Sequence, residues 1–151
     1  MLSVLSEKMA PYGVLMDEIC GRFPHLNKDE WLNDAMPQLR ENMSEDEMLQ
    51  ILIQAAVEKT SVEEPDWQFA AAHLLAHCLY KEAAENRNYE ASRKYGDLYT
   101  LIHTLTEKGL YGKYLLEHYS KAEIEELEAY LVPERDYLFN YIGLKVLSDR
   151  Y

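Results

Sequence analysis

Cysteine, glycine and proline are scarce here, at two, six and five residues of 151, and each shortage excludes something. Cys20 and Cys78 are too few for a disulfide framework. Cys78 lies in an apolar helical stretch and reads as a small hydrophobe rather than half of a disulfide. The default setting is therefore reducing and cytoplasmic. Few glycines and prolines, with leucine, alanine, glutamate and tyrosine dominant, favour helices. Basic residues are outnumbered, 15 against 27 acidic, for a net charge of −12. Such a surface repels phosphate backbones, which excludes nucleic acid as the expected partner. No apolar run approaches the roughly 18 residues of a membrane span. Residues 1–20 lack a basic start followed by an apolar block, so no secretory signal is visible. No segment alternates with period two over a convincing length, and no internal repeat is found. The length suits one domain with a sizeable core.

Catalytic and metal-binding patterns are missing as well. A di-iron site needs Glu three residues before His on one helix, but Arg22, Ala70, Leu74, Thr100 and Leu115 hold those places. His73 and His77 share the i, i+4 spacing of zinc hydrolases, yet Leu74 stands where the general base would be and no third ligand accompanies them. They read as two polar residues on the less buried side of their helix. GLYGKY at Gly109–Tyr114 has two residues between its glycines where a phosphate loop needs four. Gly109 reads instead as a helix cap. There is no Gly-x-Ser-x-Gly, and neither cysteine has the local context of a nucleophile. The twelve tyrosines fall on helical stripes or beside turns, where packing with a surface hydroxyl explains them. No catalytic residue and no metal ligand is expected.

The sequence instead offers helices. Leu15, Ile19 and Phe23 recur as one stripe of a first helix over 1–23, whole or broken near Pro11, and Pro24 stops it. Asn27 can cap a helix from Lys28, with Trp31, Leu32 and Ala35 inward and Pro37 ending or kinking it. Ser44 and Glu47 form a capping box for a helix to about Thr60 that buries Met48, Leu52, Ala55 and Ala56. The stretch Ser61–Ala84 is apolar round most of its circumference, with Pro65 at its first helical position and Glu63, Glu64 and Asp66 at the positive end of its dipole. It is the central buried helix, about 64–84. Glu85–Tyr95 is polar and reads as a loop or ragged continuation. Leu98, Ile102 and Leu105 mark a helix over Asp97–Lys108, and a turn or two of helix follows in LYGKYLLEHY. Ser120 and Glu123 form a second capping box, with Ile124, Leu127 and Leu131 on the apolar face and Pro133 closing it. Asp136 would cap a last helix to Arg150, placing Leu144, Leu147 and Tyr151 on one face. The class is all-α, an irregular bundle of seven to eight helices around one central helix.

Several blocks carry a resemblance. EEPDWQFAAAHLL (Glu63–Leu75) resembles the Pro-Asp-aromatic-Gln-aromatic-x-Ala-Ala-Arg-Leu segment of the large subunit of aerobic, class I ribonucleotide reductases. GLYGKYLLEHY (Gly109–Tyr119), then Ser120, Glu123 and Leu127, then PERDYLFNY (Pro133–Tyr141) and GLKVLSDRY (Gly143–Tyr151) are similar to later blocks of that family. They follow the family's order and spacing over about residues 44–151, with Glu85–Tyr95 the weakest stretch. The resemblance implies the helical region before the ten-stranded catalytic barrel. The family's radical-bearing cysteine, reducing cysteine pair, catalytic glutamate and substrate-phosphate sequences lie downstream of it. An N-terminal fragment, non-catalytic by itself, is the expectation. The implied partners are the rest of the large subunit and a radical-generating, metal-containing small subunit. ATP and dATP would be the effectors of the full enzyme.

Residues 1–60 form the other implied region. Many family members begin with an ATP cone, whose helical part is similar to MSEDEMLQILIQAA (Met43–Ala56). The cone's opening β-hairpin has no counterpart, and Glu45 stands where the family often has threonine. The expectation is a truncated, cone-like region at 1–60 followed by the reductase helical region at 61–151. Lys81 falls where the family places a phosphate-contacting lysine, and His73 replaces its usual arginine. Lys81 is the single candidate nucleotide contact, against a plain reading as a solvated lysine near a helix end. The alternative function is a binding or regulatory module, either a vestigial ATP/dATP sensor or an acidic interaction domain.

Overall fold

The computed structural model describes the backbone of residues 2–150 and side chains from residue 7 onward. Among these residues there are eight α-helices, three short 3-10 segments and no strand, as the all-α reading requires. The helices are α1 (Leu2–Arg22), α2 (Lys28–Ala35), α3 (Glu45–Lys59), α4 (Trp67–Arg87), α5 (Leu98–Glu107), α6 (Tyr114–His118), α7 (Lys121–Glu128) and α8 (Tyr141–Arg150). Two compact units result: Met1–Leu79 with Asp136–Tyr151, and Tyr80–Arg135.

In the first unit, helix ends follow side-chain chemistry. The Asn27 side chain accepts from the Asp29 and Glu30 amides and starts α2. Ser44 and Glu47 exchange both bonds of a capping box at α3. α1 runs unbroken through Pro11, which is exposed, so water can serve the carbonyl that proline's missing N–H leaves unpaired. Its buried line is Tyr12, Met16 and Ile19; Leu15 and Phe23 are only half-buried. Pro37 falls in a 3-10 turn, Met36–Gln38, directly after α2. The expected inward face of α3 is buried at all four positions, with Leu49 and Ile53 added.

The central helix is displaced by about one turn. Pro65 and Asp66 form a turn ahead of α4, and the Asp66 carbonyl accepts from Phe69 and Ala70. Pro65 is therefore outside the helix. Every residue from Ala70 to Ala76 is buried, His73 included, so this part of α4 has no solvent face. From His77 onward the helix residues are exposed or half-buried except at Ala84. The last helix also begins later than expected. Asp136 lies in the 3-10 segment Pro133–Leu138, and Asn140 caps α8 by accepting from the Gly143 amide at 2.8 Å. Leu144 is buried but Leu147 is exposed, and Tyr151 lies outside the described residues.

In the second unit, α4 closes on Asn88, which takes φ +55. The Tyr89 amide reaches the Ala84 carbonyl and the Asn88 amide the Glu85 carbonyl, the paired bonds of a Schellman cap. α5 ends the same way on Gly109 (φ +72): the Leu110 amide bonds the Leu105 carbonyl and the Gly109 amide that of Thr106. Asp97 caps α5 through the Thr100 amide at 2.6 Å, and Glu128 of α7 accepts from the Leu98 amide at 2.8 Å. α5 and α7 pack together, and Ile102 and Ile124 are their buried residues. Leu127 and Leu131 are exposed, contrary to the expected apolar face of α7. Ser120 and Glu123 do form the expected capping box.

Candidate functional site

The segment with the most distinctive residues is Pro65–Leu75, and its side chains are placed by packing. Trp67 is 1% exposed and meets Trp31 edge to face, with ring centroids 5.4 Å apart and planes at 79°. Trp31 is fixed in turn by its Nε1–H, which donates to the Leu52 carbonyl of α3 at 2.8 Å. The Lys59 ammonium sits 5.1 Å from the Trp67 ring centre while pairing with Asp34 and Glu30. Asp66 lies 3.1 Å from the His25 imidazole.

The structure separates the two histidines of the i, i+4 pair. His77 is exposed. His73 is buried, not on a less buried side as its polarity implied, because an aromatic enclosure takes its ring. It stacks on Tyr137 at 4.4 Å and 10° and meets Phe23 edge to face at 5.8 Å. The Arg22 guanidinium lies over the Tyr137 ring, 4.6 Å from its centre. His73 Nδ1–H donates to the Phe69 carbonyl at 2.7 Å; Nε2 is buried without a partner among the described residues. No group of three His, Cys, Asp or Glu that could hold a metal occurs among the described residues. Cys20 and Cys78 are both half-buried thiols outside any disulfide, and burial, helped by Asp17, pushes the Cys20 thiol up.

This enclosure makes a testable pH dependence. Burial depresses the His73 pKa; the Arg22 charge adds to this and the Phe69 bond partly offsets it. The unfolded chain takes up this proton near the ordinary value of about 6.5, the folded chain only at lower pH. The neutral ring's contribution is thus fully present above about pH 6.5 and is lost as pH falls through the depressed folded pKa. Urea midpoints at about pH 8 and about pH 5 are expected to fall further apart in the wild type than in His73→Phe. Equal separations would remove His73 as the titrating group.

Lys81, the candidate nucleotide contact, lies within α4, half-buried and engaged by the protein. The GLYGKY segment is the Schellman turn of α5 and the approach to α6. What sequence reasoning missed is the second Schellman cap, at Asn88. Asparagine ranks after glycine at that position, which was the available signal.

The arrangement defines a helical packing module in which the most distinctive residues build a core. No family model matches the chain. Among curated proteins, the alpha subunit of ribonucleoside-diphosphate reductase from Treponema pallidum is 39% identical over 129 residues, 85% of this chain and 15% of that protein. The Helicobacter pylori alpha subunit is 35% identical over 118 residues, 78% of this chain and 14% of its own length. Subunit alpha of reductase 1 from Escherichia coli is 28% identical over 114 residues, 76% and 14% respectively. The chain is homologous to the ribonucleoside-diphosphate reductase alpha subunits, of which it spans 14–15% of the length.

Proposed function

We propose that this chain is a helical, non-catalytic part of a class I ribonucleoside-diphosphate reductase large subunit. In that assembly a downstream barrel reduces ribonucleotides to deoxyribonucleotides for DNA synthesis, in the cytoplasm. A metal-containing small subunit would supply the radical, and ATP and dATP would act as effectors. The observation that carries this reading is the homology to alpha subunits in which the matched region is only 14–15% of the length. The surface supports it. α8 turns Leu144 inward but leaves Ile142 (71%), Val146 and Leu147 exposed, with Leu138 (77%) and Phe139 before it. Leu138, Ile142 and Val146 follow helical spacing, and an apolar stripe of this kind marks an interaction surface. The rest of the large subunit is the polypeptide that would cover it.

Reconstitution tests the proposal. The chain with a small subunit is expected to give no deoxyribonucleotide. A large-subunit polypeptide lacking this region is expected to gain turnover when the chain is added. Turnover by the chain alone would overturn the reading.

The proposal includes residues 1–60 as a cone-like region without nucleotide sensing. Glu45, Asp46 and Glu47 occupy the first turn of α3, and carboxylates at a helix N-terminus disfavour a triphosphate there. Calorimetry with dATP is expected to show no saturable binding tighter than about 1 mM, a limit of about −4 kcal/mol. Micromolar binding lost in Lys81→Ala would favour the sensor reading instead.

A further inference from the structure

A cavity of about 400 Å³ opens in the second unit, between the end of α4, the segment that follows it, and one face of α5. Its size falls within the range of small-molecule sites. Its lining is out of character for a chain of net charge −12: three side chains, Arg87, Arg93 and Lys108, are cationic and one, Asp97, is a carboxylate. Lys94 and Lys121 of this unit are ion-paired with Glu134 and Glu125, whereas Arg87, Arg93 and Lys108 form no close ion pair among the described residues, Arg93 feeling only the longer-range attraction of Asp97. Unpaired cations gathered on one concavity of an acidic protein mark the place where an anion is attracted rather than repelled.

Arg87 is held ready. Its Nη2 donates to the Tyr89 hydroxyl at 2.7 Å and to the Tyr95 carbonyl at 2.6 Å. The guanidinium lies 4.7 Å from the Tyr89 ring centre, and the Tyr89 hydroxyl donates onward to the Lys94 carbonyl at 2.9 Å. A guanidinium carries five N–H donors, so the fork is oriented while Nε and Nη1 have no protein acceptor among the described residues. Such a pre-positioned fork suits the oxygens of a phosphate or carboxylate. The Schellman cap at Asn88 and the positive φ of Lys94 and Gly96 set the course of the connecting segment that carries Arg93. Asp97 is bonded to Thr100, which holds its carboxyl below the usual range, so it remains an anion and its repulsion is built into the site. Leu101 and Leu105 of α5 add an apolar wall.

We infer that this cavity binds a small organic phosphate monoester. Arg87, Arg93 and Lys108 receive the phosphate and the leucine wall receives the carbon body. The volume exceeds that of a lone phosphate, and the three oxygens of a monoester exploit three separate cations better than a single carboxylate does.

Phenyl phosphate titrated into the full chain, followed by backbone amide NMR, is the direct test. Saturable shifts confined to residues 86–108 are expected at millimolar concentration, with inorganic phosphate weaker and phenol without effect. Arg93→Gln with Lys108→Gln is expected to weaken binding at least about tenfold, since each charged hydrogen bond is worth more than a neutral one. Asp97→Asn keeps an equally good helix cap and is expected to tighten binding by a few-fold. Lys81→Ala is expected to leave it unchanged, which separates this site from the nucleotide test above. Helical circular dichroism of each variant confirms that it is folded. An absence of saturable shifts overturns the proposal. So do phenol shifts equal to those of phenyl phosphate, or binding indifferent to both the glutamine pair and Asp97→Asn.

Discussion

Trp67→Ala is expected to destabilise the protein by about 3–5 kcal/mol, the range for deleting a buried large aromatic. The side chain is 1% exposed, so nearly all of the burial energy of its apolar area is lost on deletion and the rest of the loss is a cavity. Its edge-to-face pair with Trp31 adds about 0.5–1.5 kcal/mol beyond area, and Lys59 loses the ring it covers. Collapse into the gap is restricted because Trp31 is tied to the α3 backbone through Leu52. A loss of this size is a large share of the roughly 5–15 kcal/mol that holds a domain. Urea unfolding followed by far-ultraviolet circular dichroism reads it without depending on tryptophan fluorescence. Trp67→Phe should cost less, since it keeps a ring and removes an indole N–H that is buried without a partner among the described residues. Leu127→Ala, at an exposed position, should stay within about 0.5 kcal/mol. A Trp67→Ala loss below about 1 kcal/mol would mean that the Trp67–Trp31 contact is not central to the core.

This bears on how the resemblance is understood. Glu63–Leu75 was the most distinctive block in the sequence, and its distinctive residues are Trp67 in a core pair, Asp66 facing His25, and small residues in a helix interior. A strong family signature can thus be a packing signature. Where local chemistry decides the outcome, the sequence was readable. Asn27, Ser44 with Glu47, Ser120 with Glu123, and Gly109 all cap the helices they were expected to cap. Side chain and backbone meet there within three residues, so no tertiary partner is needed.

Where tertiary contacts decide, it was not. Leu127 and Leu131 obey helical periodicity yet are exposed, since periodicity shows that a face is apolar without naming what covers it. The polarity of His73 points to a less buried side of α4, but Phe23 and Tyr137, distant in sequence, pack against its ring and bury it. The cavity beside α5 was illegible for the same reason. Arg87, Arg93 and Lys108 are spread over 22 positions, and only the cap at Asn88 and the turn through Gly96 fold them onto one concavity.

Ala71→Leu tests the central helix from the opposite direction, by adding volume. Ala70, Ala71 and Ala72 are successive residues on α4, hence on three different sides of it, and all are buried. Elsewhere a run of three alanines would be helix propensity alone. Here it means that neighbours approach the α4 backbone closely on every side, with interior packing too dense to accept three further carbons. Forcing a leucine in must move a neighbouring element or push a side chain off its rotamer, at a cost of about 1–3 kcal/mol. The same substitution at Ala83, further along α4 and only half-buried, meets no such constraint and should be within about 0.5 kcal/mol of neutral. Both are read from urea midpoints at constant m-value. Equal tolerance at the two positions would show that α4 is no more enclosed at its start than near its end. A selective loss at Ala71 would establish that small side chains there are a steric requirement of this core. That separates the two uses of alanine in one helix: close approach in the Ala70–Ala76 run, and simple helix formation beyond it.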